Sequence, residues 1–355
     1  MSAVFVAVLA LAVTSQSNFC AYAEDLSASD KNAHVAKIMA AWRKRQDAIH
    51  TVRATLDLHT VVKLGTFRLP PRVPAPTKAK KEYTRSVTVL LDFVNKRYRV
   101  DTTHRSSGLD SDDVTPEEKT STFVDGKGKG YMYHHAVTPK PQGTIGREHA
   151  VKFDLGETFM QTLLLHVRPC GGLPGLTTCW PELGPLRIIS AGSSGSAKAI
   201  ECECARSGAD ARLLVDATRD YAVVRIGSEF RQLTIDYGPD EGYGPVPTQS
   251  TFVLSRRGQI QMVTTARVKK IEINTALTDS MFEFEFPEGT EVTVVDTVPR
   301  PKLVANAHGQ LIPRQRMEAG TRSRGTWIRV WIVAASIVIL LVLAGFVLRR
   351  RLQRA

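Results

Sequence analysis

A run of nineteen residues near the C-terminus, residues 330–348, contains no charged residue and no proline. As an α-helix rising about 1.5 Å per residue, this run would be about 28 Å long, close to the hydrocarbon thickness of a bilayer. Trp327 and Trp331 lie at its N-terminal end, and four arginines follow it between residues 349 and 354. Tryptophan and arginine are typical of the two edges of a membrane span, so the sequence predicts one transmembrane helix.

The N-terminal residues indicate which side of a membrane the rest of the chain occupies. Residues 1–13 form a short apolar run, polar residues follow at 14–18, and Ala21-Tyr22-Ala23 comes next, a pattern typical of a secretory signal cleaved after Ala23. We therefore expect a signal peptide at 1–23, an extracytoplasmic domain at 24–298, a basic juxtamembrane tether at 299–329, the transmembrane helix at 330–348 and a short cytoplasmic tail at 349–355. This organisation predicts a single-pass membrane protein with its N-terminal domain outside the cytoplasm and its C-terminus inside.

The net charge of +12 suggests nucleic-acid binding until it is divided along the chain. Residues 299–355 contain eleven lysines and arginines and one acidic residue, so the domain at 24–298 carries only +2. A basic segment beside a membrane is attracted to anionic lipid headgroups. Membrane proximity therefore accounts for the charge, and we expect no nucleic-acid partner.

Four cysteines remain after removal of the signal: Cys170, Cys179, Cys202 and Cys204. An even number of cysteines outside the cytoplasm favours disulfides. Cys202 and Cys204 are two residues apart in a strand-like run, so they share a face and are poorly placed to bond each other. A Cys170–Cys179 pair is the first candidate, and a bond from that loop to the Cys202/Cys204 strand stays open. Their spacing does not match a pair of CxxC knuckles, so we expect no metal site.

The domain begins with a helical pattern and continues with strands. Ser29 or Asp30 can cap a helix whose apolar residues recur at helical spacing through Trp42, and the run Arg43-Lys44-Arg45 reads as its solvated face. From residue 52 to 59 apolar and polar residues alternate, which predicts a half-buried strand. Two further strands turn at Asn95, and another hairpin turns at Asp125-Gly126.

A second helix is predicted at 156–167, and the strands between residues 186 and 273 have the spacing of an antiparallel meander. The predicted fold class is therefore mainly β (α+β). It comprises a curved antiparallel sheet, an N-terminal helix, a second helix and one C-terminal transmembrane helix.

The sequence predicts no catalytic site, because each candidate group of residues has a simpler structural explanation. His134 and His135 are adjacent in a strand, so they point to opposite faces and cannot jointly bind a metal. The glycine and lysine residues at 126–130 lack the spacing of a phosphate-binding loop and open no helix. We expect a protein that is not an enzyme and has no cofactor.

The order of these motifs resembles the bacterial LolA-like superfamily, which includes periplasmic lipoprotein carriers and RseB-type envelope stress regulators. The resemblance covers most of residues 30–296. The matching segments are the first helix running into residues 49–56, the strands at 89–93 and 96–100, the hairpin at 122–133 with its two tyrosines, and the closing Phe282-x-Phe-x-Phe-Pro-x-Gly-Thr motif.

This resemblance implies a half-barrel sheet covered by the two helices, with an apolar concave face that takes up acyl chains. Together with the predicted span, it implies a single-pass protein of the bacterial inner membrane with a periplasmic N-terminal domain. The predicted function is thus a membrane-tethered module that binds lipid or lipoprotein acyl chains, and the alternatives are a sensor that binds an envelope protein partner or a scaffold without a small ligand. Ordinary sheet core is an equally good interpretation of the apolar stripes that would line the ligand site. The candidate lining residues are Leu56, Leu58, Val89, Leu91, Phe93, Phe282 and Phe284.

Overall fold

The computed structural model describes residues 26–63, 80–106, 117–135, 140–147, 158–169, 186–194, 197–206, 209–240, 242–297 and 300–313. These residues form two α-helices and sixteen strands. The chain divides into two compact units after Phe284. We describe each unit by itself.

The first unit contains both helices and thirteen strands, all of them in one antiparallel sheet. The helices are α1 (Ala28–Ala48) and α2 (Thr158–Val167). The strands are β1 (Thr51–Lys63), β2 (Lys80–Asp92), β3 (Arg97–Ser106), β4 (Glu118–Val124), β5 (Lys129–His135), β6 (Gln142–Arg147), β7 (Leu186–Ser194), β8 (Ala197–Arg206), β9 (Ala209–Asp216), β10 (Ala222–Gly227), β11 (Arg231–Asp240), β12 (Pro245–Arg256) and β13 (Gln259–Ile273).

The strand order is β6-β5-β4-β3-β2-β1-β13-β12-β11-β10-β9-β8-β7. Two meanders therefore meet where β1 pairs with β13, in a register that sets Val52 opposite Ile273 and Val62 opposite Met262. The predicted hairpins at Asn95 and at Asp125-Gly126 are confirmed as the β2–β3 and β4–β5 turns. The predicted meander over residues 186–273 is confirmed as β7 to β13.

Alternation of side chains gives the sheet two distinct faces. On β1, Val52, Ala54, Leu56 and Leu58 are buried, whereas Arg53 and Asp57 between them are exposed. Side chains of successive strand residues point to opposite faces, so the apolar series covers one side of the sheet. We call the side that packs against α1 and α2 the inner face, and the opposite side the outer face.

The sheet must curve around its helices. Strands are about 4.8 Å apart. In the order of the sheet, ten neighbouring strands run from β3 through β1 and β13 to β7, and they would span about 43 Å if the sheet were flat. Two helices, each about 10 Å across, could not cover that width. A single buried cluster nevertheless joins Tyr98 of β3, Cys202 of β8, Trp42 of α1 and Leu163 of α2. The first unit is accordingly a half-barrel with its helices inside the curve.

Hydrogen bonds from side chains fix both ends of helix α1. The side chain of Ser27 accepts a hydrogen bond from the backbone N–H of Asp30 at 3.2 Å, so the N-cap lies slightly before the predicted one. At the other end, Asn274 donates from its side chain to the carbonyl of Ala48 at 2.8 Å and accepts from the N–H of His50 at 2.7 Å. Asn274 has a φ of 56°, a left-handed conformation that asparagine tolerates well.

The second unit is described over residues 285–297 and 300–313. It contains β14 (Glu291–Val294), β15 (Lys302–Ala305) and β16 (Leu311–Pro313), paired in antiparallel order. A turn joins the last two strands, in which the side-chain carbonyl of Asn306 accepts from the N–H groups of His308 and Gln310 at 2.9 Å each. β15 and β16 lie in the stretch for which the sequence predicts an irregular tether.

Neither described helix is both long and apolar enough to cross a membrane. Helix α1 has 21 residues but carries charged residues along its length, and α2 is apolar but has only 10 residues. A span needs about 20 consecutive apolar residues. This finding corrects the predicted fold class, with its transmembrane helix, and the predicted location as a single-pass inner-membrane protein. The run at 330–348, on which both predictions rested, lies outside the described residues.

Candidate functional site

The inner face of the half-barrel holds most of the predicted lining residues. Leu56, Leu58, Val89, Leu91 and Phe93 belong to one buried cluster, and none is more than 5% exposed. The register of β1 and β2 explains their proximity, since Ala54 lies opposite Val89 and Val52 opposite Leu91. The structure therefore brings these five residues together beneath the helices.

Helix α2 covers this face with an apolar surface. Nine of its 10 residues are buried, among them Phe159, Met160 and Leu163 to Leu165. The hydroxyls of Thr162 and Ser250 lie 2.5 Å apart and join the helix to the sheet, and Thr162 also donates to the carbonyl of Thr158. Just after the helix, the guanidinium of Arg168 lies over the ring of Phe93 at 4.1 Å. The helix thus spans from β12 to the β2–β3 turn.

Helix α1 contributes a buried stripe that ends in a charge. Ile38, Trp42 and Arg45 are its buried residues, at a spacing of four and three positions. Arg45 is 1% exposed at its side chain and forms an ion pair of 2.8 Å with Asp220, in the turn between β9 and β10. The interpretation of Arg43-Lys44-Arg45 as a solvated face was therefore wrong for Arg45, which lies on the Trp42 side of the helix.

Two further polar groups surround Arg45. His166 of α2 is fully buried, and its backbone carbonyl accepts from Nη1 of Arg45 at 3.5 Å. Burial lowers the pKa of His166 to about 3, and the positive charge of Arg45 acts in the same direction. Tyr237 lies with its ring 6.3 Å from that of His166 and donates to the carbonyl of Val223 at 3.0 Å. Burial raises the pKa of Tyr237, so both rings are neutral at physiological pH.

Phe282 and Phe284, the other two predicted lining residues, lie on the outer face instead. They belong to a segment, residues 277–284, that crosses the outer face and packs on Leu90, Phe123 and Tyr131. The inner and outer sets are therefore separated by the thickness of the sheet. The structure thus divides the seven predicted lining residues into five on the inner face and two on the outer face.

Two arginines of β3 hold the 277–284 segment in place. Arg97 donates to the carboxylate of Asp279 at 2.6 Å, and its guanidinium lies 4.5 Å from the ring centroid of Phe282. Arg99 donates from Nη1 to the carbonyls of Met281 and Glu283, at 3.0 Å each. Charge-assisted hydrogen bonds of this kind are stronger than neutral ones, so the segment is well anchored.

Beside this segment the outer face contains an open groove of about 650 Å³. Its floor is aromatic, with Phe123 stacked on Tyr131 at 5.5 Å and on Phe284 at 6.5 Å. Both signs of charge occur at its rim. The residues that line this outer-face groove are Asn95, Arg97, Phe123, Asp125, Gly126, Lys127, Tyr131, Asp279, Phe282 and Phe284.

The cysteines do not support the predicted disulfide. Cys202 and Cys204 both lie on the inner face of β8, as their spacing predicts, and they are buried reduced thiols. Their strand places them side by side on one face, which is poor geometry for a bond between them. Cys170 and Cys179 lie outside the described residues. The prediction of a disulfide is accordingly corrected.

Sequence reasoning missed Arg45 and His166 as members of a buried polar cluster. A signal was present for Arg45, because it follows Ile38 and Trp42 at helical spacing on their own face. His166 gave no such signal, since a histidine at the end of an apolar helix commonly faces water.

No protein-family model and no curated protein matches the chain. Among solved structures, it is similar to a porin-like protein from Bacteroides uniformis, with 11% identity over 62% of this chain and 96% of that chain and a TM-score of 0.22. It is also similar to a beta-barrel-like protein of a domain of unknown function from Brucella abortus, with 8% identity over 64% of this chain and 99% of that one and a TM-score of 0.25.

A third likeness is to a protein named PNGF-II, with 10% identity and a TM-score of 0.19, which covers 70% of this chain and 32% of that one. TM-scores this low carry no argument about function. What is shown of the LolA-like resemblance is its architecture, a helix-covered half-barrel, which rests on the strand order and the buried cluster described above.

Proposed function

We propose that this chain is a non-enzymatic LolA-like module that binds acyl chains of lipids or lipoproteins between its inner face and its helices. The observation that carries the proposal is the continuous apolar inner face, covered by two helices rather than by a second sheet. An acyl chain that displaced part of this cover would replace one set of apolar contacts with another. Each buried methylene contributes about 0.8 kcal/mol, so a long chain can offset the helix contacts it removes.

The way the cover is attached favours such a displacement. Helix α1 is tied to the sheet near its C-terminal end, where Trp42 and Arg45 make their hydrogen bonds. Residues 28–37, at the other end of the helix, include no buried side chain. Segments with few buried contacts open at the lowest free-energy cost. The N-terminal half of α1 is therefore the part of the cover that we expect to move first.

A pair of adjacent leucines on β2 tests this proposal. Leu91 belongs to the inner cluster and Leu90 to the outer one, and both are buried, at 0% and 7% exposed. Leu91→Ala and Leu90→Ala remove the same atoms and have similar costs in stability, about 2–5 kcal/mol. Binding of a fluorescent long-chain fatty acid to the purified, delipidated chain is then measured for both variants by titration.

We expect saturable binding whose affinity changes at least about fivefold in Leu91→Ala and stays unchanged in Leu90→Ala, because one methylene-sized change in a pocket alters affinity by about 1 kcal/mol or more. Absence of saturable binding by the folded wild-type chain would overturn the proposal. So would an effect confined to Leu90→Ala, which would place the ligand on the outer face.

The outer-face groove supports a second function, the binding of a protein partner. Aromatic side chains and arginine are enriched at protein–protein interfaces, and here Tyr131 and Phe284 are partly exposed beside Arg97. Tyr131→Ala and Lys127→Ala would weaken such a complex, detected by crosslinking in cells, without changing fatty-acid binding. A stoichiometric protein partner that is lost from these variants and retained by Leu91→Ala would favour this second function.

A further inference from the structure

The buried cluster around Arg45 has fewer hydrogen bonds than its polar atoms can make. Nη2 of Arg45 donates to the backbone carbonyl and to the carboxylate of Asp220, at 2.6 and 2.8 Å, but Nε has no partner among the described residues. The guanidinium is packed so closely against Gly244 that a Cβ there would lie 2.6 Å from Nε. Unpaired donors in a buried site are costly, by about 1–3 kcal/mol each.

The imidazole of His166 is in the same situation. It is 0% exposed, and neither Nδ1 nor Nε2 has a hydrogen-bond partner within the described part of the chain. A neutral imidazole has one N–H donor and one acceptor nitrogen. His166 and Arg45 are neighbours, since Nη1 of Arg45 reaches the carbonyl of His166 at 3.5 Å. The site thus contains at least two donors that an oxygen ligand could satisfy.

The carboxylate that now neutralises Arg45 comes from a strained turn at the surface. Asp220 is 43% exposed at its side chain, in contrast to 1% for Arg45. Asp220 and Tyr221 both have left-handed backbones, with φ of 48° and 55°. Such a conformation costs about 1 kcal/mol for a residue with a Cβ and is common at functional sites. Because the Asp220 side chain is already partly exposed, it can turn into solvent without desolvation. Arg45 would then be a buried charge without a counter-ion, which another anion could supply.

We propose that Arg45 and His166 form a headgroup site for a fatty carboxylate, and that Asp220 occupies this site as an internal substitute when no ligand is bound. This inference rests on the proposed function, which places the acyl chain against the inner face that surrounds both residues. Exchange of one carboxylate for another leaves the buried guanidinium with one counter-charge, so the ligand adds no uncompensated charge to the interior. The ligand class is thus a free fatty acid and not a neutral acyl ester.

The experiment compares dansyl-labelled undecanoic acid with its methyl ester, which has the same chain and no charge. Both are titrated into the full-length chain and into Asp220→Asn, His166→Phe and Arg45→Met. Asp57→Asn is the matched control, because Asp57 is a half-exposed aspartate of β1 that is paired with Lys269 at 3.1 Å.

The wild-type chain should bind the acid more tightly than the ester. Asp220→Asn removes the internal competitor and should raise affinity for the acid by about five- to tenfold, as expected for one charge-assisted hydrogen bond, while affinity for the ester stays constant. His166→Phe should weaken binding of the acid alone, and Asp57→Asn should change neither ligand. Arg45→Met should abolish the preference for the acid, and if that variant does not fold, Asp220→Asn decides the question.

Equal affinity for acid and ester, with no gain in Asp220→Asn, would overturn the headgroup site while leaving acyl-chain binding intact. A loss of both ligands in Asp220→Asn would also overturn it, because Asp220 would then be a structural residue. If the wild-type chain binds neither ligand, the proposed function and this inference fail together.

Discussion

The indole N–H of Trp42 donates a hydrogen bond of 2.7 Å to the backbone carbonyl of Tyr221, a residue 179 positions further along the chain. Trp42 is fully buried, and Tyr221 has a left-handed backbone with a φ of 55°. The contact joins α1 to the turn between β9 and β10, next to the ion pair of Arg45 and Asp220. It therefore fixes both the depth of the helix in the half-barrel and the conformation of the turn.

Trp42→Phe tests this contact. The variant leaves the carbonyl of Tyr221 without its partner and removes part of a fully packed ring, so we expect the free energy of unfolding to fall by about 2–4 kcal/mol. Urea denaturation followed by circular dichroism measures the change. Phe230→Leu is the control, because Phe230 is 52% exposed and its substitution should alter stability by less than about 0.5 kcal/mol. Similar losses in both variants would contradict the role of Trp42.

The strands and helices could be predicted from local patterns, because alternation with a period of two or of 3.6 is a property of neighbouring residues. The series from Val52 to Leu58 is an example, and its burial is as predicted. The partners of Arg45 could not be predicted in this way. Asp220 lies 175 positions away, and only the order of strands brings the two together. Without knowledge of this distant counter-ion, a run of charged residues is interpreted as a solvated face.

There is also a physical reason why the sequence grouped Phe282 and Phe284 with residues of the other face of the sheet. Periodicity shows that Phe282 and Phe284 share a side of an extended segment, but it cannot show which side of the sheet that segment crosses. In the structure Asp279–Phe282 forms a 3-10 turn, and Phe282 packs on Phe123 of the outer face. The outer-face groove is consequently a feature of the tertiary fold, and the alternation in the sequence contained no sign of it.

Asp92 should give the fold a component of stability that depends on pH. Burial acts to raise the pKa of Asp92, but hydrogen bonds from Asn95 and Arg97 outweigh it, so the pKa lies below its ordinary value. Such a carboxylate stabilises the fold above the unfolded pKa of about 4, and the contribution disappears as the pH falls through the lower folded pKa. Asp92→Asn should therefore lose about 2 kcal/mol at neutral pH.

Urea denaturation at neutral pH and below about pH 4 measures both values, and the difference between wild type and Asp92→Asn should shrink at the lower pH. Asp57→Asn, at a half-exposed ion pair, should differ from wild type by less than about 1 kcal/mol throughout. A constant difference between Asp92→Asn and wild type across the pH range would show that ionisation of Asp92 is not responsible.

Cys202 should be unreactive in the folded chain. Burial raises the pKa of its thiol to about 12, and neighbouring Cys204 and Glu201 act in the same direction. The thiolate is the reactive form, so alkylation of the native protein by iodoacetamide should be slow at mildly alkaline pH. Peptide mass spectrometry should find Cys202 unmodified in native protein and fully modified in urea. Rapid modification of Cys202 in the folded chain would contradict the burial of this thiol on the inner face of β8.

Two glycines in hairpin turns should respond very differently to alanine. Gly227 has a φ of 152°, and an added Cβ would overlap the carbonyl of Arg231 and lie 2.8 Å from the Cα of Gln232. Gly258 has a φ of 73°, and the described residues place no atom within 4 Å of its added Cβ. We expect Gly227→Ala to cost about 3 kcal/mol or more and Gly258→Ala about 1 kcal/mol, measured by urea denaturation. Equal costs would contradict the close approach of the β10 and β11 backbones.

His166 should make the wild-type chain less stable in mild acid. Its folded pKa of about 3 lies below the unfolded value, because burial and the charge of Arg45 disfavour the imidazolium. Between those two pKa values the unfolded chain binds more protons, so stability falls as the pH is lowered from about 6.5 toward 3, by up to about 1.4 kcal/mol per pH unit.

In His166→Phe this slope should be absent. As the pH falls from about 7 to 4, the free energy of unfolding of the variant should therefore decrease less than that of wild type. Urea denaturation at several pH values measures the two curves. His166→Asn controls for loss of the ring, because it differs in packing but also has no titrating group, and it should show the same relative gain. Parallel curves for wild type and both variants would mean that His166 gains a proton in the folded chain, and that its ring nitrogens lie within reach of solvent.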